Sequence, residues 1–174
     1  NGAGVKTTTT TAPNGDVTTA VQSLDSSNNI VVVTTFPTGI ITTSTTDAIT
    51  GKITILTELP SGETTSTEQS TDASGNTVAA TTDASGVVTT ATTTPGGETT
   101  TVVETTDTSG NDVVETTLPS GTVSTATTDA SGVITTEVVD TSGSTTTIIE
   151  STDASGVTTT ATTNNDGDTT TVVE

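Results

Sequence analysis

Apolar residues along this chain come in short, evenly placed groups set in long stretches of Thr. Through the second half most groups are adjacent pairs: Val102-Val103, Val113-Val114, Val138-Val139, Ile148-Ile149 and Val172-Val173. Neighbouring residues of a strand point to opposite faces, so each pair puts one apolar side chain on either side of a sheet. A buried Val contributes about 1.5–3 kcal/mol, and one pair per strand makes a thin core. The pattern predicts a sheet covered on both faces, or one that shares its second face with another subunit. Segment 30–59 is denser, with Ile30, Val31, Val32, Val33, Ile53 and Ile55; strand alternation puts Ile53 and Ile55 on one face.

Turn signals separate the groups. From Gly62 the turn glycines fall at 75, 86, 97, 110, 121, 132, 143, 156 and 167, always 11 or 13 residues apart. Two versions alternate, Asp-led (Asp129-Ala130-Ser131-Gly132) and Pro-containing (Leu118-Pro119-Ser120-Gly121). A type I turn accommodates both, because it favours Asp at its first position, Pro at its second and Gly at its fourth. Gly at the fourth position takes positive φ without steric cost and supplies the bulge that restores pairing. Asp25-Ser26-Ser27-Asn28 is a variant without Gly, and Asp47 to Gly51 is a longer one. About seven residues between turns give strands of about 23 Å.

The expected fold is therefore all-β: fourteen or fifteen strands in antiparallel hairpin repeats, a meander curled on itself or folded into two layers. The alternative is a β-solenoid with one rung per 24-residue repeat, as Thr127–Glu150 is followed by the similar Ser151–Glu174. Three segments are expected: 1–16, a strand-prone donor strand; 17–62, a more apolar β region; and 63–174, Thr-rich hairpin repeats.

Composition supports strands. The chain has 174 residues, of which 56 are Thr, and Thr, Val and Ile together make nearly half. These β-branched side chains are stiff and pack well on a pleated surface. The net charge is −19, with Lys6 and Lys52 the only basic residues. Such a chain repels phosphate backbones and anionic lipid, so neither nucleic acid nor membrane insertion is expected. No apolar run approaches the ~18 residues of a membrane helix. The chain lacks Met, and a cleaved signal peptide, hence export, is the simplest expectation.

Little here can do chemistry. Without His or Cys, the common catalytic triads and Cys/His zinc sites are excluded. No phosphate loop or dinucleotide fingerprint occurs. Asp-Thr-Ser-Gly at Asp107 and Asp140 differs from the aspartic-protease motif by an inserted Ser and fits a turn. Glu104, Glu115, Glu137, Glu150 and Glu174 recur with the repeat and read as a solvated acidic face. No enzyme, cofactor or metal site is expected.

The hairpin Asp129-Ala130-Ser131-Gly132-Val133-Ile134 resembles the repeats of the Rhs/YD family, and the similarity extends over residues 70–174. It implies a secreted or surface-exposed β shell. The signature Tyr of that family is absent here, and no site is carried over. The chain also resembles Thr-rich extracellular fibre and surface-stalk repeats.

Alternating Thr allows three readings: β-propensity with hydroxyls bonded across strands, dense O-glycosylation, or ice binding, since Thr-x-Thr rows resemble insect antifreeze proteins. The O-glycan candidates are Thr90, Thr92, Thr125, Thr127, Thr160 and Thr162. The expected function is a structural subunit of an extracellular fibre or cell-surface appendage. It would assemble with itself by strand addition and carry glycans on Thr; an adhesin stalk or ice-binding module is the alternative.

Overall fold

A computed structural model describes residues 4–174, so the first three residues of the expected donor strand lie outside the described residues. The described chain is all-β, with fifteen strands and no helix. It divides into two compact units, the first ending at Gly86 and the second beginning at Val87. The first holds β1 (Lys6–Thr11), β2 (Val17–Leu24), β3 (Ile30–Thr35), β4 (Ile41–Thr46), β5 (Ile53–Glu58), β6 (Thr64–Thr71) and β7 (Thr77–Thr82). The second holds β8 (Val88–Thr93), β9 (Thr99–Thr106), β10 (Asp112–Thr117), β11 (Val123–Thr128), β12 (Ile134–Val139), β13 (Thr145–Thr152), β14 (Thr158–Thr163) and β15 (Thr169–Val173).

Within each unit every strand pairs antiparallel with the next, as the turn chemistry predicts. The turn at Asp129 illustrates the corner. Gly132 N–H donates to the Asp129 carbonyl at 2.9 Å and closes a type I turn. Asp129 N–H donates to the Val133 carbonyl at 3.0 Å, and Gly132 adopts φ +80°. The Asp-led and Pro-containing turns share this frame: Leu118 and Gly121 make the same two bonds. Where Gly is missing, Asn28 takes the left-handed position at φ 66°. Asn tolerates that region because its short polar side chain bonds locally.

Turn and strand lengths explain the spacing of the glycines. A five-residue corner plus a six-residue strand gives the 11-residue interval; the eight-residue strands β2, β6, β9 and β13 give the 13-residue one. An eight-residue strand pairs through its first six residues with the preceding strand and its last six with the following one. Thus β9 uses Thr99–Glu104 toward β8 and Thr101–Thr106 toward β10. Each such strand staggers the sheet by two residues, about 7 Å.

The expected meander of antiparallel hairpins is what forms, and two of the arrangements left open beside it do not. Antiparallel pairing rules out the solenoid, whose rungs stack in parallel. Neither unit folds into two layers: strands contact only their chain neighbours, and no described residue is buried. The physical reason is the adjacent apolar pairs. They distribute methyl groups over both faces, each shared with Thr hydroxyls. A second layer over either face would bury hydroxyls along with methyls, so it gains only where those hydroxyls find partners across the contact. The denser 30–59 segment follows the same rule. The corner at Leu59–Glu63 joins β5 to β6 like any other.

Candidate functional site

Residues opposite one another across a ladder share a face, so the register assigns every strand side chain to one of two faces in each unit. In the second unit all pairings keep odd opposite odd and even opposite even. Val102, Glu104, Asp112 and Glu150 fall on one face, and Val103, Glu115 and Glu137 on the other. In the first unit one corner breaks this rule. Gly51 N–H donates to the Asp47 carbonyl, four residues back, at 3.0 Å, and Asp47 N–H donates to the Lys52 carbonyl at 2.9 Å. Ser44 lies opposite Ile55, so even positions of β4 face odd positions of β5; the extra corner residue changes this numbering and not the face on which a side chain lies.

The register gathers the first unit's strand carboxylates on one side. Glu58 lies opposite Ile41, and Glu68 opposite Thr54, both on the face of Val33. Lys52 Nζ bonds Glu68 at 2.7 Å beside them. Among the described residues the face of Val32 holds no acidic strand residue. It carries Leu24 opposite Ile30, and the run Gln22–Val32–Ser44–Ile55–Thr67 across β2 to β6. Among the described residues its only charged strand residue is Lys6, opposite Gln22.

Alternating strand direction also sorts the turns. In the first unit the corners led by Asp25, Asp47 and Asp72 share one end. Those led by Ala12, Phe36 and Leu59 share the other, where a Cβ on Gly39 would meet Pro60 Cγ at 3.2 Å. In the second unit Asp107, Asp129 and Asp153 share an end. Their carboxylates are engaged in the turns themselves. Asp107 Oδ1 accepts from Ser109 N–H at 2.7 Å and Asn111 N–H at 3.0 Å, and Oδ2 accepts from the Asn111 side-chain amide at 2.9 Å. These donors favour the ionised form. The Asn111 N–H, then its side-chain amide, holds Asp107 below the ordinary carboxylate value. Asp25 is lowered first by the Asn29 N–H, Asp72 by the Asn76 amide, Asp47 by the Thr50 N–H and Asp140 by the Ser142 hydroxyl. No group of three or more potential metal ligands occurs among the described residues.

The six glycan candidates are divided between faces. Thr90 lies opposite Val102, Thr92 opposite Thr100, Thr160 between Glu150 and Val172, and Thr162 between Ile148 and Thr170, all on the Val102 face. Thr125 lies on the Val103 face between Glu115 and Glu137, and Thr127 between Val113 and Thr135. All six are half-buried, and Val or Glu interrupts the Thr-x-Thr pairs, so no continuous rank forms. A different Thr pattern emerges from the structure. Thr93 and Thr99, Thr152 and Thr158, and Thr163 and Thr169 bracket corners and share hydroxyl bonds of 3.0, 3.1 and 2.9 Å. A Thr on either side of a five-residue turn is the sequence signal for this clasp.

The outer strand of the first unit, β1, has all six residues exposed and pairs only with β2 among the described residues. No helix among the described residues is long and apolar enough to cross a membrane. No protein-family model matches the chain, and no curated protein matches it.

Proposed function

We propose that this chain is a non-enzymatic structural subunit of an extracellular fibre or cell-surface appendage, built to associate with further copies of itself. The observation that carries this reading is that no described residue is buried although every strand pairs with its chain neighbours within each unit. An isolated single layer leaves apolar groups half-wet on both faces, with Leu24 at 42% and Leu56 at 44% exposure. Partner copies are what such a sheet can gain from.

Strand addition is the route of growth. An outer strand such as β1 offers a row of backbone donors and acceptors that another chain can pair with. Its six exposed side chains, one Lys and five Thr, leave that approach open. The Thr hydroxyls on both faces are acceptors for O-linked sugars, Thr125 and Thr127 among them. The turns and clasps give a mechanical role its unit: each corner within a unit is locked by two backbone bonds, and often by a carboxylate.

Electron microscopy of the purified full chain at high concentration, beside a Thr9→Pro variant, tests this. Thr9 lies mid-way along β1, and Pro there removes a donor and disfavours pairing. Wild-type filaments that shorten or vanish in the variant support strand addition. A wild-type chain that stays monomeric at every concentration refutes it.

A further inference from the structure

We infer that the Val32 face of the first unit is a self-docking surface, on which a second copy of this chain seats its own Val32 face. The inference deepens the self-assembly reading by naming a second contact, face to face rather than edge to edge. It rests on that reading only in taking the partner to be another copy.

The argument is one of charge and area. The chain carries −19, and three of the four strand faces bear carboxylates: Glu58 and Glu68 on the Val33 face, Glu104, Asp112 and Glu150 on the Val102 face, and Glu115 and Glu137 on the Val103 face. Pressing any of those three against its own copy would bring like charges together in a desolvated layer, which costs affinity. The Val32 face has no strand carboxylate. This follows from the pairing of Ile41 with Glu58 and of Thr54 with Glu68, which puts both carboxylates on the opposite face.

The face is also chemically self-complementary. Leu24, Ile30 and Val32 on β2 and β3 and Ile53 and Ile55 on β5 form two apolar groups with Ser44 and Thr46 of β4 between them, and these residues with Thr57, Thr65 and Thr67 offer hydroxyls that both donate and accept. Seven strands about 4.8 Å apart and about 20 Å long present about 670 Å², so two copies bury about 1,300 Å². That is within the range of specific protein interfaces, about 1,200–2,000 Å². Salt should strengthen the contact, because the remaining repulsion between copies is long-range and screened over about 8–10 Å.

The test uses matched substitutions on adjacent residues of the full chain. Ser44→Glu places a carboxylate on the Val32 face; Thr43→Glu places one on the Val33 face of the same strand. Circular dichroism checks that both keep their strands, and Ile55→Glu against Leu56→Glu repeats the comparison on β5. Sedimentation equilibrium should give a wild-type dimer that Ser44→Glu weakens at least about 100-fold and Thr43→Glu by no more than about threefold. Equal weakening by both members of each pair, no weakening by either, or a wild-type monomer overturns the inference. The two contacts separate cleanly. Filaments that survive Thr9→Pro count against strand addition and leave face docking standing; a dimer that survives Ser44→Glu and Ile55→Glu counts against face docking and leaves strand addition standing.

Discussion

The corner at Thr94–Glu98 contains a natural control for the claim that left-handed glycines set the hairpins. It holds two adjacent glycines, of which Gly97 adopts φ +88° while Gly96 does not enter the positive region. A Cβ added to Gly97 would meet nothing within 4 Å, so crowding cannot explain any loss there. What remains is backbone strain, about 1–2 kcal/mol for an L residue held left-handed. At Gly96 an added Cβ meets only Thr94 Oγ1 at 3.6 Å, an ordinary contact. Alanine there restricts the unfolded chain and should stabilise by about 0.4–1 kcal/mol. The two single-methyl changes are therefore expected to act with opposite sign. Native-state hydrogen exchange on the amides of β8 and β9 reads the difference locally. Gly97→Ala should speed exchange about 5–30-fold. Gly96→Ala should leave it unchanged or slower. Equal effects, or a neutral Gly97→Ala, would show that positive φ is not what fixes these corners.

Three further outcomes follow from other parts of the structure. Asp107 is held below its ordinary value, so its contribution to the corner is complete above the unfolded carboxylate pKa of about 3.9 and is lost as pH falls through its lower folded value; a carboxyl NMR titration with a midpoint at or above the ordinary value would contradict this. Deleting Ala48 shortens the Asp47–Lys52 corner to the common length while Thr46 stays opposite Ile53, so Glu58 and Glu68 keep their face and the face-to-face dimer should survive in sedimentation; loss of the dimer with the strands intact would contradict the face assignment. If the Thr hydroxyls are glycosylated, tryptic or acid-cleaved peptides of native material spanning Thr90–Thr92, Thr125–Thr127 or Thr160–Thr162 should carry hexose-sized mass increments, and unmodified masses at all three would remove the glycan element.

Much of the fold was legible in the residues because local chemistry sets each corner without help from distant packing. Asp or Pro, followed by Gly at a fixed offset, specified turn type, hairpin pairing and strand length together, and even Asn28 stands where a Gly-like residue was needed. The layering was not legible. Val102-Val103 and its counterparts state that both faces receive a methyl group; whether a second sheet covers them depends on energies summed over the whole surface, where Thr hydroxyls offset the apolar gain. The segregation of charge was hidden for a related reason. Glu58 and Glu68 cannot be assigned to a face until it is known which residue of β5 sits opposite Thr46, and a one-residue slip in that pairing would move every side chain beyond it to the other side. The Thr93–Thr99 clasp could have been found, since both residues flank a recognisable turn. The Thr-x-Thr pairs drew attention instead, and they prove to be scattered over two faces.

The most direct test of a hydroxyl-rich, single-layer sheet that completes itself with further copies is X-ray diffraction from aligned assemblies of the purified chain. Strand addition predicts a reflection at about 4.8 Å along the fibre axis, and face docking a second at about 10 Å across it. A chain that yields no aligned assemblies, and whose scattering in concentrated solution remains that of a lone subunit, would contradict the account.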